Sequence, residues 1–151
     1  EINPGHVNAY HNRGVAKEYL ERYYAALEDY QKALEIDPRR STSYHGIAFA
    51  KAKLKDYYGA IFNYSKAIEI NPNYATAYNN RGIAKKELED YYGAIFSYSK
   101  AIEINPRYPK AYANRGTSKL KLGDMKGACA DWRMASALGH EKSSQWVRNQ
   151  C

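Results

Sequence analysis

Histidine and asparagine are the side chains whose types and spacing suggest chemistry, and they recur at a fixed interval. His11 and His45 stand 34 residues apart, and so do Asn80 and Asn114. An imidazole can ligate a metal, and an amide both donates and accepts hydrogen bonds. An enzyme, in contrast, needs unlike groups that converge in one concave site. Repeated copies of one residue therefore favour a binding surface over a catalytic centre.

No residue set typical of catalysis or of a cofactor site occurs in the sequence. There is no Ser/His/Asp or Cys/His arrangement, no glycine-rich phosphate loop and no zinc motif. His11 and His45 would lie on neighbouring helices, whose axes pack about 8–10 Å apart. This distance is long for two imidazoles that share one metal without a third ligand. We therefore expect no enzymatic activity, no metal site and no cofactor.

A 34-residue period organises nearly the whole chain. Residues 56–72 recur as residues 90–106 with only two differences, and weaker copies begin at Arg22 and Asp124. Apolar residues within each copy have helical spacing, and Asn-Pro or Asp-Pro closes the first three units. The pattern predicts an all-α fold of antiparallel helix pairs. The predicted repeats are residues 7–40, 41–74, 75–108 and 109–142.

Small and aromatic residues recur at fixed positions within each unit. Small residues let two antiparallel helices approach closely, and aromatic rings fill the remaining gaps. Asp56, Asp90 and Asp124 precede the second apolar run, where a carboxylate can cap the exposed amides of a helix. The recurring residues are Tyr10, Gly14, Ala26, Tyr30 and Ala33 in the first unit, Tyr44, Ala48, Ala60, Tyr64 and Ala67 in the second, Tyr78, Gly82, Ala94, Tyr98 and Ala101 in the third, and Tyr112, Gly116, Ala128, Trp132 and Ala135 in the fourth.

These landmarks resemble those of the tetratricopeptide repeat (TPR) family over nearly the whole chain. Arg13, Arg81 and Arg115 each stand between Asn and Gly, which resembles a variant common among bacterial members. The resemblance implies a right-handed α-solenoid of four TPR units and a C-terminal capping helix. One helix pair cannot cover its own apolar face, so neighbouring pairs must stack. The function implied is that of a non-catalytic scaffold for protein–protein interaction.

In the family, the first helices of successive repeats line a concave groove that receives peptides or protein segments. Asn12, Asn80 and Asn114 occupy one equivalent position there, and Gly46 interrupts the series. Their amides could pair with the backbone of an extended peptide. The alternative is that they are solvated surface residues. Carried over by position, the groove comprises Asn8, His11, Asn12, Val15, Thr42, His45, Gly46, Phe49, Lys53, Thr76, Asn79, Asn80, Ile83, Lys86, Glu87, Lys110, Ala113, Asn114, Thr117 and Lys121.

Some family members grip the terminal carboxylate of a chaperone tail with a set of lysine, asparagine and arginine side chains. That set requires Lys and Asn four residues apart in one first helix. The first repeat has His11 and Val15 at these positions. A chaperone-tail receptor is therefore not favoured, since only Lys110, Asn80 and Asn114 fall on matching positions.

The charge of the chain favours an acidic partner. The formal net charge is +7, and it is spread along the sequence without a dense Lys/Arg block. We therefore expect a protein or peptide partner, with acidic segments favoured. RNA is a less favoured alternative, because no clustered basic face with stacking aromatics is evident. Self-association through the exposed face of the first repeat is another. No apolar run approaches the ~18 residues of a membrane span, so we expect no membrane partner.

Two groups of side chains have open interpretations. The stems of Arg13, Arg81 and Arg115 are expected to lie along the helix pairs. Their heads would then reach water or Glu35, Glu69 and Glu103, unless they form a basic stripe for an acidic partner. Certain tyrosines are either binding anchors or packing between units. They are Tyr24, Tyr58 and Tyr92, which follow another tyrosine, and Tyr74 and Tyr108, which lie in turns.

The two ends depart from the repeat pattern. Residues 1–6 match the close of a repeat, which predicts the tail of a preceding unit and hence a fragment of a longer array. Gly139 is a candidate left-handed helix cap. Residues 141–149 are predicted to form a short helix, with Trp146 and Val147 apolar, within a capping segment at 141–151 that resembles a natural end. Cys129 and Cys151 lack partner-like spacing, so we expect free thiols, as in a reducing compartment such as the cytoplasm.

Overall fold

Nine α-helices and no strand make up residues 6–151, the part of the chain that the computed structural model describes. The predicted all-α class is confirmed. Of the tail predicted at residues 1–6, residues 1–5 lie outside the described part. The helices are α1 Val7–Tyr19, α2 Tyr23–Ile36, α3 Ser41–Lys53, α4 Tyr57–Ile70, α5 Ala75–Glu87, α6 Tyr91–Ile104, α7 Pro109–Lys121, α8 Met125–Ala137 and α9 Glu141–Gln150.

The helices belong to two compact units. Unit 1 (Glu1–Asn73) contains α1 to α4, and unit 2 (Tyr74–Cys151) contains α5 to α9. Within each unit, consecutive helices pack side by side in antiparallel pairs. The first and third helices of a unit, α1 with α3 and α5 with α7, also contact one another. This last contact brings first-helix side chains of adjacent pairs together.

The turn inside each pair has the same backbone geometry. Glu21, Lys55, Glu89 and Gly123 all have φ between +55° and +82°. The next amide donates to the carbonyl five residues back, as from Arg22 to Lys17 at 2.9 Å. This combination is the Schellman motif, which closes a helix and reverses the chain. Three of the four left-handed residues carry side chains, so the motif is formed without glycine at those turns.

Aspartate caps three of the second helices, as predicted. The carboxylates of Asp56, Asp90 and Asp124 accept hydrogen bonds from amides three residues later, at 2.8–2.9 Å. Each such cap is worth about 1 kcal/mol. The helix α2, which follows Arg22, begins without a side-chain cap. The helices α2, α4 and α6 end directly before Asp37-Pro38, Asn71-Pro72 and Asn105-Pro106, where the residue before proline is extended.

A buried aromatic ring lies directly on a glycine in three of the four pairs. A Cβ added at Gly82 would lie 2.6 Å from the Tyr98 ring, and one at Gly116 would lie 2.7 Å from Trp132 Nε1. Gly14 has the same relation to Tyr30, at 2.8 Å. The three rings are at most 2% exposed. The small residue is therefore required at these positions, because the ring occupies the space of a side chain.

Two buried aspartates bind the arginine heads, so the glutamate partners predicted for Arg13 and Arg115 were wrong. Arg13 Nε donates to Asp29 at 2.8 Å, and Arg115 Nε donates to Asp131 at 2.9 Å. Lys17 and Lys119 join the same carboxylates, each at 2.8 Å. Burial acts to raise the pKa of Asp29, but hydrogen bonds from Arg13 and Lys17 outweigh it and hold the pKa below its usual value. Glu69 and Glu103 instead pair with Lys66 and Lys100.

The two middle pairs replace this ion pair in different ways. The second pair has Ile47 and Asn63 at the two positions, and the Asn63 amide donates to the Gly59 carbonyl at 2.8 Å. The third pair retains Arg81, whose Nε contacts Ser97 Oγ at 3.4 Å. In both, the lysine equivalent to Lys17 turns to the helix cap. Lys51 bonds Asp56 at 2.7 Å, and Lys85 bonds Asp90 at 3.1 Å.

The replacement of the Arg–Asp ion pair in the middle pairs predicts the effect of removing a buried carboxylate. We expect Asp131→Asn to lower the free energy of unfolding by about 3 kcal/mol, because it leaves Arg115 half-buried without its anion. The double variant Arg115→Ile, Asp131→Asn copies the second pair and frees Lys119 to bind Asp124. We expect it to return to within about 1 kcal/mol of the parent in urea denaturation. A double variant no more stable than the single one would contradict this prediction.

Candidate binding groove in unit 2

Three asparagines predicted to face a ligand are hydrogen-bonded to one another in unit 2. Asn114 Nδ2 on α7 donates to Asn79 Oδ1 on α5 at 3.1 Å. Asn79 Nδ2 then donates to Asn80 Oδ1 at 3.2 Å. Asn79 is buried, whereas Asn80 and Asn114 are partly exposed. The amides therefore form a chain that is fixed at its buried centre and reaches solvent at both ends.

A concavity of about 540 Å³ contains this amide chain and is termed the unit 2 pocket. Its volume lies within the range of 300–1,000 Å³ that is typical of ligand sites. Predicted groove residues form much of its lining. They are Thr76, Asn79, Asn80, Ile83, Lys110, Ala113 and Asn114, and Tyr108, His140, Lys142 and Trp146 complete it.

The unit 2 pocket combines apolar walls with positive charge. Ile83, Tyr108 and Trp146 supply apolar surface, and the side chains of Lys110 and Lys142 are exposed beside it. Burial raises the pKa of Tyr108 above its usual value, partly offset by a hydrogen bond with Thr76. None of the described residues that line the pocket is acidic. The pocket therefore offers positive charge beside apolar surface.

The helix α9 forms one wall of the pocket. The predicted helix at 141–149 is observed at Glu141–Gln150, and Gly139 has the predicted left-handed conformation, with φ of +89°. The Trp146 ring packs on Trp132 with centroids 5.2 Å apart, and His140 caps the helix through Ser143. Sequence reasoning treated α9 only as a cover for the last apolar face and so missed its contribution to the groove.

The expectation of free thiols was wrong, because Cys129 and Cys151 form a disulfide. Their Cα atoms lie 5.7 Å apart, within the range that a disulfide requires. Cys129 is in the first turns of α8, and Cys151 directly follows α9. Because the two helices are antiparallel about Gly139, positions roughly equidistant from that turn become neighbours. The separation of 22 residues therefore suits a pair of short antiparallel helices.

His11 and His45, two of the three histidines in unit 1, pack against aromatic rings. His11 lies 5.4 Å from the Tyr30 ring centroid, and His45 lies 5.4 Å from that of Tyr64. His11 Nδ1 also contacts Ser43 Oγ at 3.1 Å. Burial lowers the pKa of both imidazoles, that of His45 to about 4. Both rings are therefore neutral near pH 7. Within residues 6–151, no group of three or more His, Cys, Asp or Glu side chains could hold a metal ion.

The structure also explains the interruption of the asparagine series at Gly46. The Tyr30 ring lies so close to Gly46 that a Cβ there would overlap it. The Tyr30 ring therefore leaves no room for asparagine at residue 46, although the equivalent Asn12 is present in the first pair. The other predicted groove residues do not gather into the unit 2 pocket. Asn8, Asn12, Thr42 and Lys121 are exposed, Lys86 pairs with Glu87 at 3.0 Å, and Thr117 donates to the Ala113 carbonyl at 3.0 Å.

A second concavity, of about 330 Å³, lies in unit 1 and is termed the unit 1 pocket. Phe49 and Lys53, both predicted groove residues, line it, and Lys53 Nζ lies 5.3 Å from the Phe49 ring centroid. Glu18 also lines it, and burial raises the pKa of this carboxyl to about 7. The nearby Tyr30 hydroxyl offsets only part of this effect, and Glu18 Oε1 is buried without a hydrogen bond of good geometry.

The tyrosines with open interpretations divide into two groups. Tyr24, Tyr58 and Tyr92 are about three-quarters exposed, at 74–77%. Tyr74 and Tyr108 are partly buried in their turns, and Tyr108 also lines the unit 2 pocket.

None of the described helices is long and apolar enough to cross a membrane.

Comparison with known proteins agrees with the helix pairs and their recurring contacts. A tetratricopeptide repeat profile matches residues 7–40 and 75–108, and a second TPR profile matches residues 50–88. Together these matches cover more than half of the chain. The chain belongs to the tetratricopeptide repeat family. TPR proteins are in general non-catalytic scaffolds, and the family and its solved structures support a protein–protein interaction scaffold for this chain.

Solved structures show the same TPR fold. The crystal structure of MamA superposes with a TM-score of 0.86 at 23% identity, over 94% of this chain and 83% of that one. The Arabidopsis OM64 TPR domain is 31% identical over 74% of this chain and 96% of that one, with a TM-score of 0.68. The first TPR of Spaghetti (RPAP3), bound to the HSP90 peptide SRMEEVD, has a TM-score of 0.77 at 22% identity, over 81% and 97%. No curated protein matched this TPR chain.

The buried carboxyl of Glu18 predicts how the stability of the TPR protein depends on pH. Its pKa in the folded state, about 7, exceeds the ordinary value of 4.5, so the folded protein favours the protonated form. The free energy of unfolding should therefore fall as pH rises from about 4.5 to above 7. We expect Glu18→Gln to flatten this slope in urea titrations across that range. Glu28→Gln, at an exposed position on α2, should keep the parent slope, and an unchanged slope in Glu18→Gln would refute the assignment.

Proposed function

We propose that the protein binds an extended, acidic peptide segment of another protein in the unit 2 pocket. The observation that carries this proposal is the conjunction of the Asn79–Asn80–Asn114 amide chain with Lys110, Lys142 and the Trp146 ring. Amides at the ends of the chain can bond peptide backbone, which offers alternating donors and acceptors. The lysines would meet ligand carboxylates, and Trp146 would contact one apolar side chain.

The family supports a groove of this kind. The RPAP3 domain, which shares this fold, was solved with a peptide bound. Added salt screens the attraction between the exposed lysines and the carboxylates of a ligand, so this attraction is strongest at low ionic strength. We therefore expect the affinity of the pocket for an acidic ligand to fall as the salt concentration rises.

A library of random linear peptides displayed on phage would test the proposal. We expect selected peptides to be enriched in Asp and Glu beside one apolar residue. Lys110→Glu should weaken a selected peptide about 10-fold by fluorescence anisotropy, because it places a carboxylate against the ligand's own. Asn114→Ala should also weaken it. The control Lys126→Glu makes the same charge change on α8 outside the pocket and should alter affinity less than about 2-fold.

Two results would overturn the proposal. Selected peptides without an acidic bias would remove the assigned ligand chemistry. Equal binding by the parent and Lys110→Glu would place recognition on another surface.

Self-association is a second candidate function, and exposed aromatic residues favour it. Tyr58 and Phe62 lie one turn apart on α4, and Tyr92 and Phe96 do so on α6, all at least 59% exposed. Exposed pairs of large aromatic side chains of this kind are typical of protein contacts. Light scattering across a wide concentration range distinguishes the candidates, since a constant monomer mass excludes self-association.

A further inference from the structure

The helix α9 is attached to unit 2 at both of its ends. At its start, the Gly139 turn and the His140 cap connect it to α8. At its end, the Cys129–Cys151 disulfide joins the residue after the helix to the first turns of α8. The chain from 129 to 151 is therefore a closed covalent loop.

The sequence of α9 gives it little stability of its own. It has 10 residues, fewer than the ~12–15 at which an isolated helix becomes even marginally stable. Serines at positions 143 and 144 and Asn149 have low helix propensity. Its order therefore depends on the packing of Trp146 against Trp132, on the Ser136–Ser144 hydrogen bond at 2.7 Å, and on its covalent ends.

The same helix carries one wall of the unit 2 pocket. Lys142 and Trp146 lie on α9, and His140 is its cap. Loss of α9 from its position would remove the indole surface and one of the two lysines together. The disulfide at residue 151 therefore joins α8 to the helix that carries this wall of the pocket.

We propose that the Cys129–Cys151 disulfide is a redox-controlled tether that keeps α9 in place as a wall of the unit 2 pocket. Its effect on ligand affinity rests on the function proposed above, whereas its effect on the order of α9 does not. Closing a loop restricts the states in which α9 is undocked, and opening it restores them. Reduction therefore shifts α9 towards the undocked state.

The accessible sulfur is that of Cys151, because its residue is exposed and Cys129 is buried. A thiolate of a dithiol reductant attacks Cys151 Sγ, and the Cys129 thiolate leaves and takes up a proton. The second thiol of the reductant then displaces Cys151, which leaves as a thiol. The protein gains two electrons and two protons, and the dithiol becomes a cyclic disulfide.

Hydrogen exchange read by mass spectrometry tests the tether on the whole chain, with and without dithiothreitol. We expect amides of α9 to exchange about 10-fold faster after reduction, whereas amides of α5 keep their rates. In the variant Cys129→Ser, Cys151→Ser, the amides of α9 should exchange at the rates of the reduced protein, and dithiothreitol should not change these rates. Unchanged exchange in α9 after complete reduction would overturn the proposal, as would equal acceleration throughout unit 2.

Binding of a selected acidic peptide gives the second readout. We expect reduction to weaken it several-fold and reoxidation to restore it. The oxidised variant Trp146→Ala should also bind weakly while its disulfide stays intact. If α9 loosens but affinity is unchanged, control of the pocket is refuted. If the oxidised protein binds no acidic peptide while α9 still loosens, the proposed function fails and the tether stands.

Discussion

The contact between a buried ring and a glycine sets the separation of the two helices within a pair. Tyr30, Tyr98 and Trp132 each lie sixteen residues after the glycine that they cover. A close helix approach needs a position without a side chain, and the ring then fills the gap that remains. The register fixed by this contact also places every other residue of the pair.

The buried ion pairs follow from that register. Arg13 and Arg115 immediately precede the glycines, and Asp29 and Asp131 immediately precede the rings, so each arginine meets its aspartate. A buried carboxylate is stable only with several hydrogen bonds, and Arg together with Lys supplies them here. The combination of Ile47 and Asn63 in the second pair shows that the same register is also compatible with two uncharged side chains at these positions. The ion pair therefore depends on the ring contact and does not create it.

Much of this fold could be predicted because it is repeated. The 34-residue period, the small and aromatic positions, the Asp caps and the Gly139 turn each correspond to an observed feature. The partners of the arginines were missed because only water and glutamates were considered as partners and the sixteen-residue register was not applied. The disulfide was missed for a related reason. Cys129 and Cys151 become neighbours only when α8 and α9 are placed as an antiparallel pair.

The groove was harder to predict because equivalent positions serve different purposes in the two units. His11 and His45 occupy the positions of Asn79 and Ala113, yet their neutral rings pack on Tyr30 and Tyr64.

Gly46 occupies the position of Asn114 because the Tyr30 ring excludes a side chain there. The 34-residue period alone therefore does not predict which of several equivalent residues face a ligand. Residues outside the period, such as Trp146, also complete the unit 2 pocket. Trp146 packs on Trp132 over the last apolar face and also lines the adjoining concavity. Covering that face and lining the groove are consequently two results of one packing arrangement.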